Sequence, residues 1–473
     1  MKNIGLVILA DRVLDGFLNV LTRRMGEFSL IQRSINLAIS MDIDKESVYL
    51  LSNDDEALLI AERNNINKII FDPNLTRTEN LIANIASLQQ HSHIITLSPL
   101  APMIKSESII ESLDSLISER KKIVQPVKSD SQKIFDIRNQ SRSGDFLDKE
   151  TESHFVEFNG FSVFETSILE ASEQEEFEVL RHEIKQDYLE IQSREDWWVF
   201  EKILNRKRIV IRIIGDDHSG MGHVYRSVTL ANEIIDHEII FVCTDDNKIA
   251  IDYLEKTNYL VKSFSQNHIE DGIMKLSPNM VINDILDTRS SYIKRLKASG
   301  CIVINFEDFG SGSTITDLTI NELFDDPQND SPNTLWGRNY YFLRDEFNDA
   351  KPNEFRNTLE VLLLTFGGTD PNNLSLPILK SISNLCKDRN ITIKLVVGPG
   401  FQRIHEIHSF LKSNETSHIE FINATGVISS IMEETDFAIT SNGRTLYELA
   451  HMNIPAIVVA QNKQETTHKF SVL

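Results

Sequence analysis

The sequence predicts an α/β protein of parallel sheets, arranged as one domain followed by a matched pair. Two observations carry this. Short apolar runs alternate with helix-length stretches along almost the whole chain, the pattern of strands that each need a covering helix before the next parallel strand. The alternation also restarts twice, at residues 209–214 and 360–366, and 473 residues exceed what one core organises at roughly 150 residues per domain. The expected domains are 1–206, 207–345 and 346–473.

In the first domain the strand candidates are residues 4–10, 47–51, 68–71 and 93–97, with helical stretches at 29–41 and 54–64. The polar segment 125–153 has no periodicity and reads as an insertion or loop. A strand at 158–165, an acidic helix near 171–183 and the segment 188–204 complete the domain. The cluster Asn205-Arg-Lys-Arg208 then precedes a clean strand at 209–214, which sets the main boundary. Strands at 238–244, 280–284, 301–306 and 318–320 follow. A polar stretch, 325–333, and an aromatic one, 340–347, lead to strands at 360–366, 391–397, 437–440 and 456–460. Two such halves in succession predict two open sheets facing a cleft, with ligands beyond the carboxyl ends of the strands.

Composition narrows the function classes. A hydrophobic fraction of 41% and a charged fraction of 25% are ordinary for a globular chain. The 70 acidic residues outnumber 48 basic ones, giving a net charge of −22. That excess argues against a nucleic-acid or anionic-membrane surface, where each phosphate wants a local cation. It leaves room for a phosphorylated small molecule held by backbone amides at a helix N-terminus. Three cysteines without paired spacing, Cys243, Cys301 and Cys386, suit a reducing compartment and form no metal motif. The opening apolar run is soon broken by Asp11, Arg12 and Asp15, unlike a secretory signal, and no run approaches the ~18 apolar residues of a membrane span. A cytoplasmic location is the expectation.

The first chemical motif follows strand 209–214. It reads Gly215-Asp-Asp-His-Ser-Gly-Met-Gly-His-Val-Tyr-Arg226, then a helix at 227–235. Gly220 and Gly222 allow a tight turn and close backbone approach to a ligand. His223 stands at the helix start, where an imidazole can take a proton from water or a hydroxyl near neutral pH. On the loop alone, a glycine-rich βα turn capped by His223 explains as much. His218 and His223 are five apart, a poor spacing for two metal ligands on one helix face.

Gly220-x-Gly222-His223-x-x-Arg226, followed by Thr229-Leu-Ala, resembles the UDP-sugar hydrolase of the pseudaminic acid pathway and the related spore-coat polysaccharide glycosyltransferases. Val281-Ile-Asn-Asp284, Ile304-Asn-Phe-Glu-Asp308, Asp317-Leu-Thr-Ile-Asn321 and Tyr341-Phe-Leu-Arg-Asp-Glu-Phe347 fit the family in the same order, from about Arg208 onward. The resemblance implies a two-lobed, glycosyltransferase B-type pair of Rossmann-like domains. It also implies that His223 activates water against an anomeric carbon without a metal, with Arg226 and Asp284 among the substrate-binding residues. Ile214 stands where the family carries an aspartate, with Asp216 and Asp217 the nearest substitutes.

The carboxyl-terminal half holds two further glycine turns. Leu364-Thr-Phe-Gly367-Gly368-Thr369-Asp370-Pro371 runs from strand to glycine turn to a proline near a helix start. Ser441-Asn442-Gly443-Arg444-Thr445 likewise follows a strand and opens the helix 446–452. Amides and the helix dipole there suit phosphate, and Glu448, about one turn in, suits two ribose hydroxyls. The plainer alternative is two ordinary βα turns, with Glu448 offsetting a helix dipole. The resemblance agrees with a UDP site, and the segment 461–464, ending in Gln464, is similar to a family segment near the diphosphate. It also implies further helices after strand 456–460, whereas the sequence stops at Leu473.

Residues 1–206 resemble the cytidylyltransferases that charge acidic nine-carbon sugars with CMP, a nucleotidyltransferase-like Rossmann-type fold. The matching segments are 6–12, 29–35, Leu51-Ser-Asn-Asp-Asp-Glu56, 96–100 and Glu190-Ile-Gln-Ser-Arg-Glu-Asp196-Trp197. The family wraps CTP in a glycine-rich basic loop, but here that loop has one glycine, Gly16, and no lysine. A triphosphate normally needs charge-assisted donors. Gln192 and Ser193 replace expected metal-binding aspartates, leaving Asp196 alone, although Mg²⁺ wants anionic oxygens. Asp54, Asp55 and Glu56 read as acids at a helix N-terminus. The expectation is a non-catalytic domain whose implied ligands are CTP or a CMP-sugar, with Mg²⁺ needed only if it is active. For the two-lobed part the first expectation is hydrolysis of a UDP-linked amino sugar, in surface polysaccharide or nonulosonic acid biosynthesis. Transfer of the sugar from the same site, or a non-catalytic binding module, are the alternatives, and no cofactor is expected.

Overall fold

The computed structural model describes residues 3–11, 14, 17, 19–130, 154–171, 177–185, 188–216, 219–414, 416–423 and 426–472. It falls into two compact units, Met1–Asn205 and Arg206–Leu473. The class is α/β with mostly parallel sheets, as the alternation predicts.

The first unit is one mixed sheet. Its parallel half uses β1 (Ile4–Leu9), β2 (Val48–Ser52), β3 (Asn67–Ile70) and β4 (His93–Leu97). β1 lies between β2 and β4, and β3 is outermost. The other half adds β5 (Ile123–Asp130), β6 (His154–Glu157), β7 (Phe161–Glu165) and β8 (Val179–Glu183), with β7 antiparallel to both β4 and β5. Two expectations change here. Residues 123–130 form a strand rather than the start of a loop, while 131–153 lie outside the described residues. The acidic segment expected to be helical instead contains β8, in register with β5. Its charges sit on an edge strand, where solvent reaches alternate side chains. Helix α1 (Leu30–Ser40) is capped by Ser29, and α2 (Asp55–Arg63) by Asp54.

The second unit carries two fully parallel sheets. In the first lobe β9 (Arg208–Ile213), β10 (Glu238–Thr244), β11 (Val261–Phe264), β12 (Met280–Asp284), β13 (Ile302–Phe306), β14 (Leu318–Asn321) and β15 (Thr334–Trp336) run in the order β11-β10-β9-β12-β13-β14-β15. The second lobe orders β16 (Val361–Thr365), β17 (Thr392–Val397), β18 (Ile419–Asn423), β19 (Phe437–Thr440) and β20 (Ala456–Val458) as β18-β17-β16-β19-β20. Both lobes thus reverse strand order beside their first strand, which opens a crevice at its carboxyl end. β9 is a β-branched run covered on both faces. Ile209, Ile211 and Ile213 enter one core and Val210 the opposite one, each contributing roughly 1.5–3 kcal/mol by burial. The short strands β11, β15 and β18 were not foreseen, because their half-exposed residues lack a continuous apolar signal.

Candidate functional site

Each lobe delivers a glycine turn to the crevice. After β9 the chain turns through Gly220 (φ +74°) into α3 (Gly222–Asn232). After β16 it turns through Gly367 (φ +75°). A side chain at either position would strain a backbone that only glycine adopts freely. The turns meet: a Cβ on Gly220 would lie 3.5 Å from Thr369 Oγ1, and one on Gly368 3.0 Å from the Met221 side chain. Between them lies a cavity of about 230 Å³ bordered by Gly220, Gly222, Gly367, Gly368, Thr369, Ser441 and Glu448, all predicted from sequence.

His223 occupies the first turn of α3. Parallel pairing of β9 with β12 sets Ile213 beside Asp284, so Asp284 ends its strand next to that turn. His223, Arg226 and Ser227 share one helix face at i, i+3 and i+4, and all three reach Asp284. His223 Nδ1 lies 2.6 Å from Asp284 Oδ1, Arg226 Nε donates to Oδ2 at 2.9 Å, and Ser227 Oγ donates to Oδ2 at 3.1 Å. With a carboxylate on Nδ1, the proton of the neutral ring belongs there, which leaves Nε2 as the free base. Burial alone would raise the Asp284 carboxyl, but Arg226 and then His223 outweigh it and hold it well below its usual range.

Asp284 and Arg226 were expected to bind substrate, and the structure places both behind the histidine instead. Asp284 is fully buried and Arg226 is 2% exposed. Arg226 also donates to Glu322 Oε1 at 2.8 Å and lies 3.5 Å from Glu307. Burial pushes Glu307 up, against the pull of Arg226. Across the cleft, Arg444 meets the same Glu322 carboxylate. Burial first, and then repulsion from Arg226, lower Arg444 to about 9. Two guanidiniums, those of Arg226 and Arg444, thus converge on Glu322, each through Nη1.

In the second lobe the two turns differ. α4 (Ser375–Asp388) begins four residues beyond Pro371, and Asp370 accepts from the amides of Leu374 and Ser375, both at 2.9 Å. Its amino end, expected to offer amides to phosphate, already holds a carboxylate. α5 (Arg444–His451) starts after Gly443 with no side-chain cap, and Ser441 and Thr445 border the cavity there. That is the open helix end. Asn442 turns away, donating to the carbonyls of Glu465 and His468, and Gly443 serves the turn rather than the cavity wall. Glu448 Oε1 accepts from Arg344 Nε at 2.8 Å. Gln464 does not border the cleft cavity. It faces a separate one of about 380 Å³ beside Phe309 and Phe324, while Gln461, Asn462 and Glu465 border the cleft in its place.

Sequence reasoning also passed over Arg344, Arg444, Glu322 and Tyr225. The available signal was position, since Glu322 directly follows β14 and Arg444 opens α5. Asp216, a candidate for the missing aspartate, accepts from Ser219 N at 2.7 Å and so shapes the turn; Asp217 and His218 lie outside the described residues.

In the first unit the named acids already have partners. Asp54 accepts from Ala57 N at 2.8 Å, and Glu56 from Thr22 Oγ1 at 2.8 Å. Asp196 Oδ2 accepts from Ser193 N at 2.9 Å while Ser193 Oγ accepts from Asp196 N at 3.2 Å, a capping box opening α6 (Arg194–Asn205). Asp11 pairs with Arg77 at 2.7 Å, and Arg12, Val13, Asp15, Gly16 and Leu18 of the expected nucleotide loop lie outside the described residues. Among the described residues no three His, Cys, Asp or Glu side chains group to hold a metal ion, and no helix is long and apolar enough to cross a membrane.

No family model matches the chain. It is 30% identical over 273 residues to an uncharacterized protein of Methanocaldococcus jannaschii, across 54% of this chain and 56% of that protein. The chain thus spans little more than half of that relative. It is 24% identical over 264 residues to the spore coat polysaccharide biosynthesis protein SpsG of Bacillus subtilis, across 53% of this chain and 77% of SpsG. Solved structures similar to parts of it include a CMP:2-keto-3-deoxy-manno-octonic acid synthetase complexed with CTP (TM-score 0.35, 11% identity, 43% of this chain and 99% of that one). Another is Acinetobacter baumannii MurG (TM-score 0.36, 14% identity, 56% of this chain and 82% of that one).

Proposed function

We propose that the two-lobed unit binds a UDP-sugar and cleaves its anomeric C–O bond, within polysaccharide or nonulosonic acid biosynthesis. One observation carries the reading: a histidine fixed through Nδ1 by a buried carboxylate, next in α3 to Gly222, which borders a cavity whose opposite wall has an open helix end. The diphosphate would meet the amides around Ser441 and Thr445, with Arg444 supplying charge and Glu448 the ribose contact. In the reaction the oxygen of water attacks C1, the bond from C1 to the β-phosphate oxygen breaks, and UDP leaves with that electron pair. The proton of the attacking water passes to His223 Nε2. The pair of Asp284 and Arg226 keeps the ring in the required tautomer.

A second reading replaces water by an acceptor hydroxyl, and the similarity to a protein named for polysaccharide biosynthesis favours it. UDP release from UDP-sugars, measured with and without candidate acceptors, separates the two. Release without acceptor supports hydrolysis, and release only with acceptor supports transfer. UDP binding without release under either condition leaves a binding module. For the first unit we propose a cytidylyltransferase-like domain without activity, since Asp54 and Asp196 are committed as helix caps. Pyrophosphate release from CTP with acidic nine-carbon sugars and Mg²⁺ should be absent, and robust release would overturn that assignment.

A further inference from the structure

The first lobe contains a second cavity, of about 550 Å³, at the carboxyl end of β9. It shares no bordering residue with the cleft cavity. Its floor is Arg212, which occupies the position in β9 where the pattern of buried isoleucine and valine calls for another aliphatic residue. Arg212 is 8% exposed, and its guanidinium stacks 4.9 Å above the Tyr292 ring. Among the described residues no carboxylate stands within ion-pair distance of it. Desolvating a guanidinium is costly, and an aromatic face offsets only part of that cost. Arg212 also hydrogen-bonds the Tyr292 side chain, and it borders the cavity.

The wall behind this arginine is braced. Tyr292 donates to Asn283 at 2.9 Å, Asn283 to Asn305 at 2.8 Å, and Thr288 to Asp308 at 2.6 Å. Such a connected polar network holds Tyr292 and Thr288, and with them Arg212, in one arrangement. The rim carries the exposed amides of Gln266 and Asn267 and an ion pair of Glu270 with Arg289 at 3.1 Å. Asp287 adds a further carboxylate, accepting from Phe309 N.

We propose that this cavity binds a sugar acid, with its single carboxylate on Arg212 and its hydroxyls on the rim. One buried cation matches one negative charge in a planar, two-oxygen geometry. A phosphate would leave a second charge uncompensated and facing Glu270 and Asp287. The amides and acids of the rim are the partners that hydroxyls need. The site is separate from the UDP reading, so either stands without the other.

Calorimetry or ligand-detected NMR on the full chain, without nucleotide, tests it with glucuronate, galacturonate, glucose and glucose 6-phosphate. A uronate should bind roughly tenfold or more tightly than glucose. Arg212→Met should abolish that preference while leaving UDP affinity unchanged. Asn267→Glu, on the exposed rim where folding is not at stake, should weaken uronate binding more than glucose binding, since only the uronate meets the added charge. Uronates binding no better than glucose, a preference that survives Arg212→Met, or tighter binding of glucose 6-phosphate would each overturn the proposal.

Discussion

Asp54 and Asp196 of the first unit are bound to their own backbone, whereas Asp284 and Glu322 of the two-lobed unit hold other side chains. Asp54 and Asp196 cap helices, each completing a bond within four residues in sequence. Asp284 and Glu322 instead gather His223, Arg226 and Arg444 from segments far apart in sequence. The same residue type therefore carries stability in one region and orientation in the other. An acid near a helix start says little about chemistry until its partners are known.

The largest effect that would sharpen this contrast comes from Arg226. Arg226→Met strands Asp284 and Glu322 without their shared cation, and breaking a buried pair costs about 3–5 kcal/mol. Denaturant unfolding should show that loss in the second unit while the first keeps its own transition. An unchanged midpoint for the second unit would show that the cluster does not organise it. Glu448→Ala should weaken UDP binding by about 1–3 kcal/mol in calorimetry, because bonds to a charged acceptor are lost. Unchanged affinity would remove the ribose assignment.

Acidity sharpens the same contrast. The Asp284 carboxyl sits below its ordinary value of 3.8, so its contribution to stability is complete above that pH and is lost as pH falls through the folded value. The stability difference between the protein and Asp284→Asn should accordingly shrink below about pH 4, and a constant difference would contradict it. The smallest effect belongs to the first unit. Asp196→Ala should cost about 1 kcal/mol of that unit's stability, the worth of a helix cap, with UDP binding untouched. A fall in UDP affinity would show that Asp196 does more than cap α6.

Much of the fold was legible because β9, β12, β16 and β19 are mostly apolar runs, largely buried, each followed by a glycine turn or a polar break. β8 and β18 were not, since charged residues on exposed edges erase the strand pattern. At the candidate site, the glycines and His223 could be read locally. The pairing of His223 with Asp284, 61 residues away, depends on β9 lying beside β12, which no local pattern encodes. The contact between Arg344 and Glu448 spans 104 residues and was missed for the same reason. Gln464 shows the opposite failure: its segment reaches the cleft, but its side chain points into another cavity.

The central claim is that His223, fixed by Asp284, is the base that drives UDP release. Its most direct test is a time course of UDP release from a UDP-sugar substrate by the protein, by His223→Ala and by His223→Gln, with folding checked by thermal melting. The account predicts that both variants melt like the parent and bind UDP as tightly. Both should turn over roughly 10²–10⁴-fold more slowly, since glutamine keeps a hydrogen bond but accepts no proton. Full turnover in either variant would contradict the claim and return His223 to a turn residue.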